Sequence, residues 1–214
     1  MNLHSEMQYT DSEAWNNLLE LIDEAAAAGS RTFAPLTELP LGEETEIVTL
    51  PASIAKLKKV EALELYGSSL VRLPPEVGEM ESLRRLDIYT SYRLHWLPYE
   101  ITRCRELRDS RVSTRALYGN PKLSPPPPFP HLAPNPTEEV STNCSVCQEA
   151  LQPDAVRQVW ISLRVATDVF PLLVNACSKE CILRLPSPAA GSLPYPHFGG
   201  IDPKRANRPP KRGA

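Results

Sequence analysis

The chain has 214 residues and a formal net charge of -3, a length that allows one moderate domain or two small ones. Its 23 prolines are unevenly spread, and its acidic first 46 residues contrast with a basic stretch after residue 186, which favours modules joined by linkers. No apolar run approaches the roughly 20 residues of a membrane span, and the first residues lack the basic start and apolar core of a signal peptide. These features exclude a membrane protein and lead us to expect a cytoplasmic one.

Residues 1–46 contain a predicted amphipathic helix. Thr10 and Glu13 have the spacing of a capping box, and Gly29 supplies a stop. One face carries the apolar side chains of Trp15, Leu18, Leu19, Ile22, Ala25 and Ala26. We expect this helix to cover the end of the segment that follows, with docking of a partner as the alternative.

Residues 47–120 carry an internal repeat. Leu-Pro pairs stand at 50–51, 73–74 and 97–98, so the spacings are 23 and 24 residues. Each pair begins a repeat unit. Every unit repeats one apolar ladder, followed by a strand-like run; the ladder residues are Ile54, Leu57, Val60, Val77, Met80, Leu83, Ile101, Cys104 and Leu107.

These motifs resemble the leucine-rich repeat family in its form of about 23 residues with LPxxI after the strand. The resemblance implies an α/β repeat fold: a short solenoid with an N-terminal capping helix. The usual ladder Asn is replaced by Ser68, by Ser91 or Tyr92, and by Arg115, so bonding between units should depend on Ser hydroxyls. Ser110 stands where Leu is expected, so the last unit needs a cap.

The resemblance also implies a concave face on which alternate strand residues meet a protein partner. Tyrosine and arginine are common in binding hot spots. The candidate contacts are Glu64, Tyr66, Arg85, Asp87, Tyr89 and Arg111. The alternative is a solvated sheet face with cross-strand ion pairs.

Two pairs of cysteines follow a proline-rich linker at 121–142, which we interpret as a semi-rigid spacer. Within the predicted module at 143–186, 29 residues separate Cys147 from Cys177. Two close thiol pairs suit a tetrahedral site, and four thiolates close the coordination shell of a metal. We therefore predict one structural Zn²⁺ held by Cys144, Cys147, Cys177 and Cys181. Disulfides, a thioredoxin-type motif and an iron-sulfur cluster are the alternatives.

The sequence between the two cysteine pairs alternates apolar residues at Val159, Ile161, Leu163 and Val165, and a second apolar run returns to Cys177. This predicts a β-hairpin followed by a short helix with Cys181 in its first turn. The order resembles treble-clef zinc fingers of the TRASH and MYM (FCS) families, although Ala176 replaces their usual aromatic residue.

Residues 187–214 are predicted to be a disordered, basic, proline-rich tail. The chain shows no phosphate loop, GxSxG or HExxH motif, so we expect no enzyme and no small-molecule substrate. The predicted function is a non-catalytic adaptor that binds an unidentified protein. The alternative is a nucleic-acid-associated regulator that uses the zinc module and the tail.

Overall fold

The computed structural model describes residues 6–120, 122–123, 125–132 and 141–200. It is a mixed α/β structure with a four-stranded parallel sheet and a three-stranded mixed sheet. The helices are α1 (Glu13–Ala28), α2 (Pro35–Glu38) and α3 (Lys179–Leu183). Among the described residues, no helix is long and apolar enough to cross a membrane.

Helix α1 forms as its amphipathic pattern predicts, and its inner face buries Ala14, Leu18 and Ile22. The predicted N-cap is wrong by two residues, because the Ser12 hydroxyl and not Thr10 accepts from the Trp15 amide, at 3.1 Å. Gly29 ends the helix with φ +64°, a left-handed conformation that glycine adopts without a Cβ penalty.

The parallel sheet has the order β1-β2-β3-β5 and consists of β1 (Thr32–Phe33), β2 (Ala62–Glu64), β3 (Arg85–Ile88) and β5 (Asp109–Val112). Leu63 pairs with Leu86, and Leu86 pairs with Ser110, so neighbouring strands keep the spacing of the repeat units. Strand β1 precedes the repeats and was not predicted, because its two residues are too few for a periodic pattern.

The turns between these strands are short 3-10 helices at Ala52–Lys56, Pro75–Glu79 and Tyr99–Arg103. Each one directly follows a proline, whose fixed φ suits the entry into such a turn. All nine ladder side chains are buried in one continuous core. The apolar periodicity therefore identified the inner side of every unit.

Serine hydroxyls join neighbouring units, as the missing ladder asparagines predict. Ser68 and Ser91 bond at 2.8 Å, and Ser91 also donates to the Leu65 carbonyl at 2.9 Å. In the last unit Ser113 serves this purpose by accepting from the Thr90 amide at 2.9 Å. Arg115, which the alignment of the repeats placed at the ladder position, does not make this bond.

The second sheet joins the repeats to the C-terminal hairpin and has the order β4-β7-β6. Strands β6 (Arg157–Val165) and β7 (Asp168–Ala176) form the predicted antiparallel hairpin. Strand β4 (Leu97–Pro98) is the third Leu-Pro pair, and it adds to β7 in parallel. The hairpin therefore packs directly on the repeats and caps the last unit.

Parts of the predicted spacer and tail also pack on the hairpin. Phe129, Leu132, Leu193 and Trp160 belong to a second buried cluster, and the backbone of Trp160 exchanges hydrogen bonds with that of His197. Residues 187–200 thus lie against β6, whereas the sequence predicted a disordered tail from 187. Residues 133–140 of the spacer and 201–214 of the tail lie outside the described residues.

Candidate metal centre and candidate binding face

The first cysteine pair lies on a tight turn. The Cys144 amide donates to the Glu149 carbonyl at 2.8 Å, and the Gln148 amide donates to the Cys144 carbonyl at 3.0 Å. Gln148 has φ +67°, which closes this turn. Its neighbour Ser145 fixes the turn to strand β7, because its amide donates to the Asn175 carbonyl at 2.7 Å and its hydroxyl accepts from the Asn175 amide at 2.9 Å.

The second pair lies at the end of β7 and the start of α3. The Ser178 hydroxyl caps α3 by accepting from the Cys181 amide at 3.2 Å, which places Cys181 in the first helical turn as predicted. The Cys177 amide points at the Cys144 sulfur, 3.4 Å away. The two pairs therefore face each other across a small space.

The four sulfur atoms are close enough to hold one metal ion. All four lie within 4.8 Å of one another. The Sγ atom of Cys177 is 3.6 Å from that of Cys147 and 3.6 Å from that of Cys181. A tetrahedron with metal-sulfur bonds of about 2.3 Å has edges of about 3.8 Å, so the spacing fits four thiolate ligands.

The surroundings of the cysteines alter their proton affinities in opposite directions. Burial acts to raise the pKa of Cys144, but backbone amide donors, including that of Cys177, outweigh it and lower the pKa to about 7. Hydrogen bonds with the thiols of Cys181 and Cys147 raise the pKa of Cys177 to about 12. A cation would supply the positive charge that lets all four thiols lose their protons.

Two residues that the sequence did not single out connect the metal centre to the repeats. The Arg103 guanidinium donates to the Ser145 carbonyl at 3.1 Å, and the Ser145 side chain acts to lower the pKa of the Glu100 carboxyl. Burial raises the pKa of Glu100, and its Oε2 atom has no hydrogen-bond partner among the described residues. No sequence signal marks these contacts, because Glu100 and Arg103 occupy positions that are polar in an ordinary repeat turn.

The six predicted partner-binding residues come together on the parallel sheet. Glu64, Asp87 and Arg111 share one cross-strand row. Arg85 and Arg111 approach the Asp87 carboxylate to 3.5 and 3.3 Å, and this carboxylate is only 6% exposed. Cross-strand ion pairs, which the sequence left open as an alternative, are therefore present on this face.

The aromatic part of the face is more exposed. Tyr66 and Tyr89 are 56% and 39% exposed, and their ring centroids lie 6.1 Å apart. The Arg111 guanidinium lies 4.7 Å from the Tyr89 ring centroid and 5.6 Å from that of Tyr66, within the range of a cation-π contact. We call Tyr66, Tyr89 and Arg111 the aromatic patch. Tyr66 and Tyr89 follow the carboxyl ends of β2 and β3, and Arg111 lies on the neighbouring edge strand β5, so the patch presents preoriented contact area at this end of the sheet.

The chain gives no match to models of known protein families and no match to curated proteins.

Proposed function

We propose that this chain is a protein-interaction adaptor in which a short leucine-rich repeat solenoid presents the aromatic patch to a partner. The observation that supports it most is the patch itself. Two exposed tyrosine rings flank a guanidinium that Asp87 holds in place from below. Tyrosine and arginine dominate binding hot spots because they offer large contact area with little conformational entropy to lose.

The solenoid interpretation draws on the regular pairing of strands β2, β3 and β5. Each unit contributes one strand to the parallel sheet and one 3-10 turn after its Leu-Pro pair, and serine hydroxyls bond between neighbouring units. Quasi-repetitive stacking of this kind creates an extended face for partner binding.

Zinc is the metal that we propose for the cysteine cluster, in a structural role. The donor set consists of four thiolates, which suits Zn²⁺ and leaves no open coordination position for a substrate. An iron-sulfur cluster would use the same donors. The expected setting is the cytoplasm, where thiols stay reduced.

A non-catalytic role agrees with the state of the fifth cysteine. Cys104 packs in the apolar ladder, and burial raises its pKa to about 12, so it is a protonated thiol at neutral pH and a poor nucleophile. The nucleic-acid alternative depends on Lys204, Arg205, Arg208, Lys211 and Arg212, which lie outside the described residues. Binding to DNA or RNA that weakens steeply with salt would favour that alternative.

Affinity capture from the native lysate tests the adaptor function. The double variant Tyr66→Ala/Tyr89→Ala removes the rings and leaves both arginines to balance Asp87. Tyr9→Ala/Tyr195→Ala is the matched control, since these exposed tyrosines lie outside the parallel sheet. We expect the wild type and the control to retain the same partners, and the patch variant to lose them by at least about tenfold. Equal recovery by all three proteins would refute the aromatic patch as the binding site.

A further inference from the structure

A cavity of about 200 Å³ lies where three segments meet: the end of the last repeat unit, the middle of the hairpin, and the loop at residues 190–192. Its wall combines apolar surface from Leu117, Val169 and Pro171 with polar groups from the hairpin. Drug-sized ligands occupy pockets of about 300 to 1,000 Å³, so this space suits a smaller molecule.

Unused hydrogen-bond donors line this cavity. Ser162 is only 8% exposed, and its hydroxyl makes no hydrogen bond to any described residue. The Thr114 hydroxyl likewise has no partner among the described residues. Both residues line the cavity, so these hydroxyls can donate hydrogen bonds to a ligand that replaces the solvent there.

Several acceptors of the wall are already used. The Oδ2 atom of Asp168 accepts from the hydroxyls of Ser110 and Thr167 at 3.0 and 3.1 Å. The Oδ1 atom of Asn120 accepts from the Lys122 amide at 3.0 Å. The wall therefore has hydroxyl groups that can donate to a ligand, whereas several of its acceptors are already occupied.

The charge of the lining residues also favours a ligand that accepts hydrogen bonds, in particular an anion. Among the lining residues that the structure describes, two exposed cations, Arg164 and Lys122, stand against one carboxylate, that of Asp168. Arg164 donates to the Thr167 carbonyl at 3.1 Å through one nitrogen, which holds its guanidinium beside the cavity and leaves other N–H groups for a ligand. A planar guanidinium is suited to bind a carboxylate with two parallel hydrogen bonds.

From this geometry we propose that the cavity binds a small organic carboxylate. The carboxylate accepts from Arg164 and Ser162, and a compact apolar body lies against Leu117, Val169 and Pro171. The cavity is separate from both the aromatic patch and the cysteine cluster.

Titration of the full chain with benzoate, followed by calorimetry and by protein NMR shifts, tests this proposal. Benzamide and benzylammonium have the same ring with a neutral and a cationic head group. We expect saturable binding of benzoate with shifts at the cavity residues, and binding of the other two that is weaker by about tenfold or more. Equal binding of all three probes, or no saturable binding of benzoate, would overturn the proposal.

Two variants locate the site. Ser162→Ala and Arg164→Gln should each weaken benzoate binding by about tenfold. Arg157→Gln is the matched control, because Arg157 is an exposed arginine on the same strand that does not line the cavity. Should Arg164→Gln unfold the protein, Ser162→Ala decides alone, since it removes one atom from a side chain without partners. Unchanged benzoate affinity in Ser162→Ala contradicts the proposed site.

Discussion

The parallel sheet and the cysteine-bearing hairpin owe their order to different interactions. In the repeats, every unit buries the same ladder positions against its neighbours, and serine hydroxyls join the backbones. In the part of the chain that the structure describes, no repeat unit lies on the outer side of the hairpin. Strand β6 is covered instead by residues 187–200. The turn before the hairpin and the junction of β7 with α3 each supply two of the four clustered cysteines. A repeat unit is stabilised by the unit that packs against it. The last unit has no following unit, so its exposed side must be covered by a different structure.

The two regions meet at the last repeat unit, where the ladder fails. Ser110 replaces a leucine, and the hairpin turn covers it, since the Ser110 hydroxyl bonds both Thr167 and Asp168. On the other side, Arg103 holds the carbonyl of Ser145 between the first two cysteines. The hairpin is thus held on the last unit by these polar contacts as well as by the apolar core that it shares with the repeats.

Loss of the metal should produce the largest effect and should separate the two regions. We expect about one zinc per purified chain, and Cys177→Ser or a strong chelator should remove it. Structural zinc sites contribute on the order of 10 kcal/mol to small domains, so the hairpin region should lose its protection against hydrogen exchange, while β2 and β3 retain most of theirs. Elemental analysis and exchange mass spectrometry measure both outcomes.

The matched control for that variant is Cys104→Ala, which removes the one cysteine that lies in the ladder. It should keep its zinc and lose stability through a small cavity. Metal-free protein with a fully protected hairpin would break the proposed difference between the regions, and iron with inorganic sulfide would identify a cluster in place of zinc.

Close packing between repeat units predicts the next largest effect. A Cβ atom added at Gly78 would lie 2.3 Å from the Glu100 carbonyl oxygen, and this contact is with backbone that cannot rotate away. We expect Gly78→Ala to lower the free energy of unfolding by about 3 kcal/mol without reducing the zinc content. Denaturant unfolding, combined with metal analysis, checks this result.

Gly191→Ala is the control for the clash. Nothing lies within 4 Å of a Cβ added there, and only its φ of +84° opposes a side chain. It should cost about 1 kcal/mol. Equal losses in the two variants would show that the units are packed less tightly than the contact at Gly78 requires.

Acidification should weaken the hairpin region through His197, an effect of about 2 kcal/mol. Burial lowers the pKa of this imidazole to about 4, below the value near 6.5 of an unfolded chain. The unfolded state therefore binds the proton first, so this stability is complete above about pH 6.5 and is lost as the pH falls toward 4. Between pH 7 and pH 5 the expected loss is about 2 kcal/mol.

Comparison of pH profiles isolates the contribution of His197. His197→Phe should flatten the profile over that interval, whereas His131→Gln, which alters an exposed histidine, should leave it unchanged. Zinc content is followed in parallel because thiolate ligands also take up protons. A wild-type profile that matches that of His197→Phe would contradict the assignment.

The sequence predicted the features that depend on local pattern. The ladder of Ile54 and Leu57, the hairpin with its alternation at Val159 and Ile161, and the grouping of four cysteines all follow from spacing. Pairing of β4 with β7 could not be predicted, because Leu97 and Pro98 carry the same signal as the other two Leu-Pro pairs. The third Leu-Pro pair differs from the other two in having strand β7 beside it.

The contacts of Phe129 and Leu193 escaped prediction for a related reason. A few apolar side chains in a proline-rich stretch show no periodicity. Their burial depends on packing against Trp160. The Trp160 indole also donates a hydrogen bond to the Pro130 carbonyl. The high proline content that indicated a spacer is a property of the segment alone, whereas the position of Phe129 is set by Trp160, which lies elsewhere in the fold.

The pairing of Leu97 with Leu172 has a consequence for the order of events during synthesis. The repeat units contact their nearest neighbours and can assemble as they emerge, but the edge at Leu97 waits for a strand encoded much later in the chain. Contacts between distant segments form slowly because a long loop must close first. Until β7 arrives, that edge and the polar gap at Ser110 stay open to solvent, so the last unit is the point at which a nascent chain is most exposed to wrong pairing.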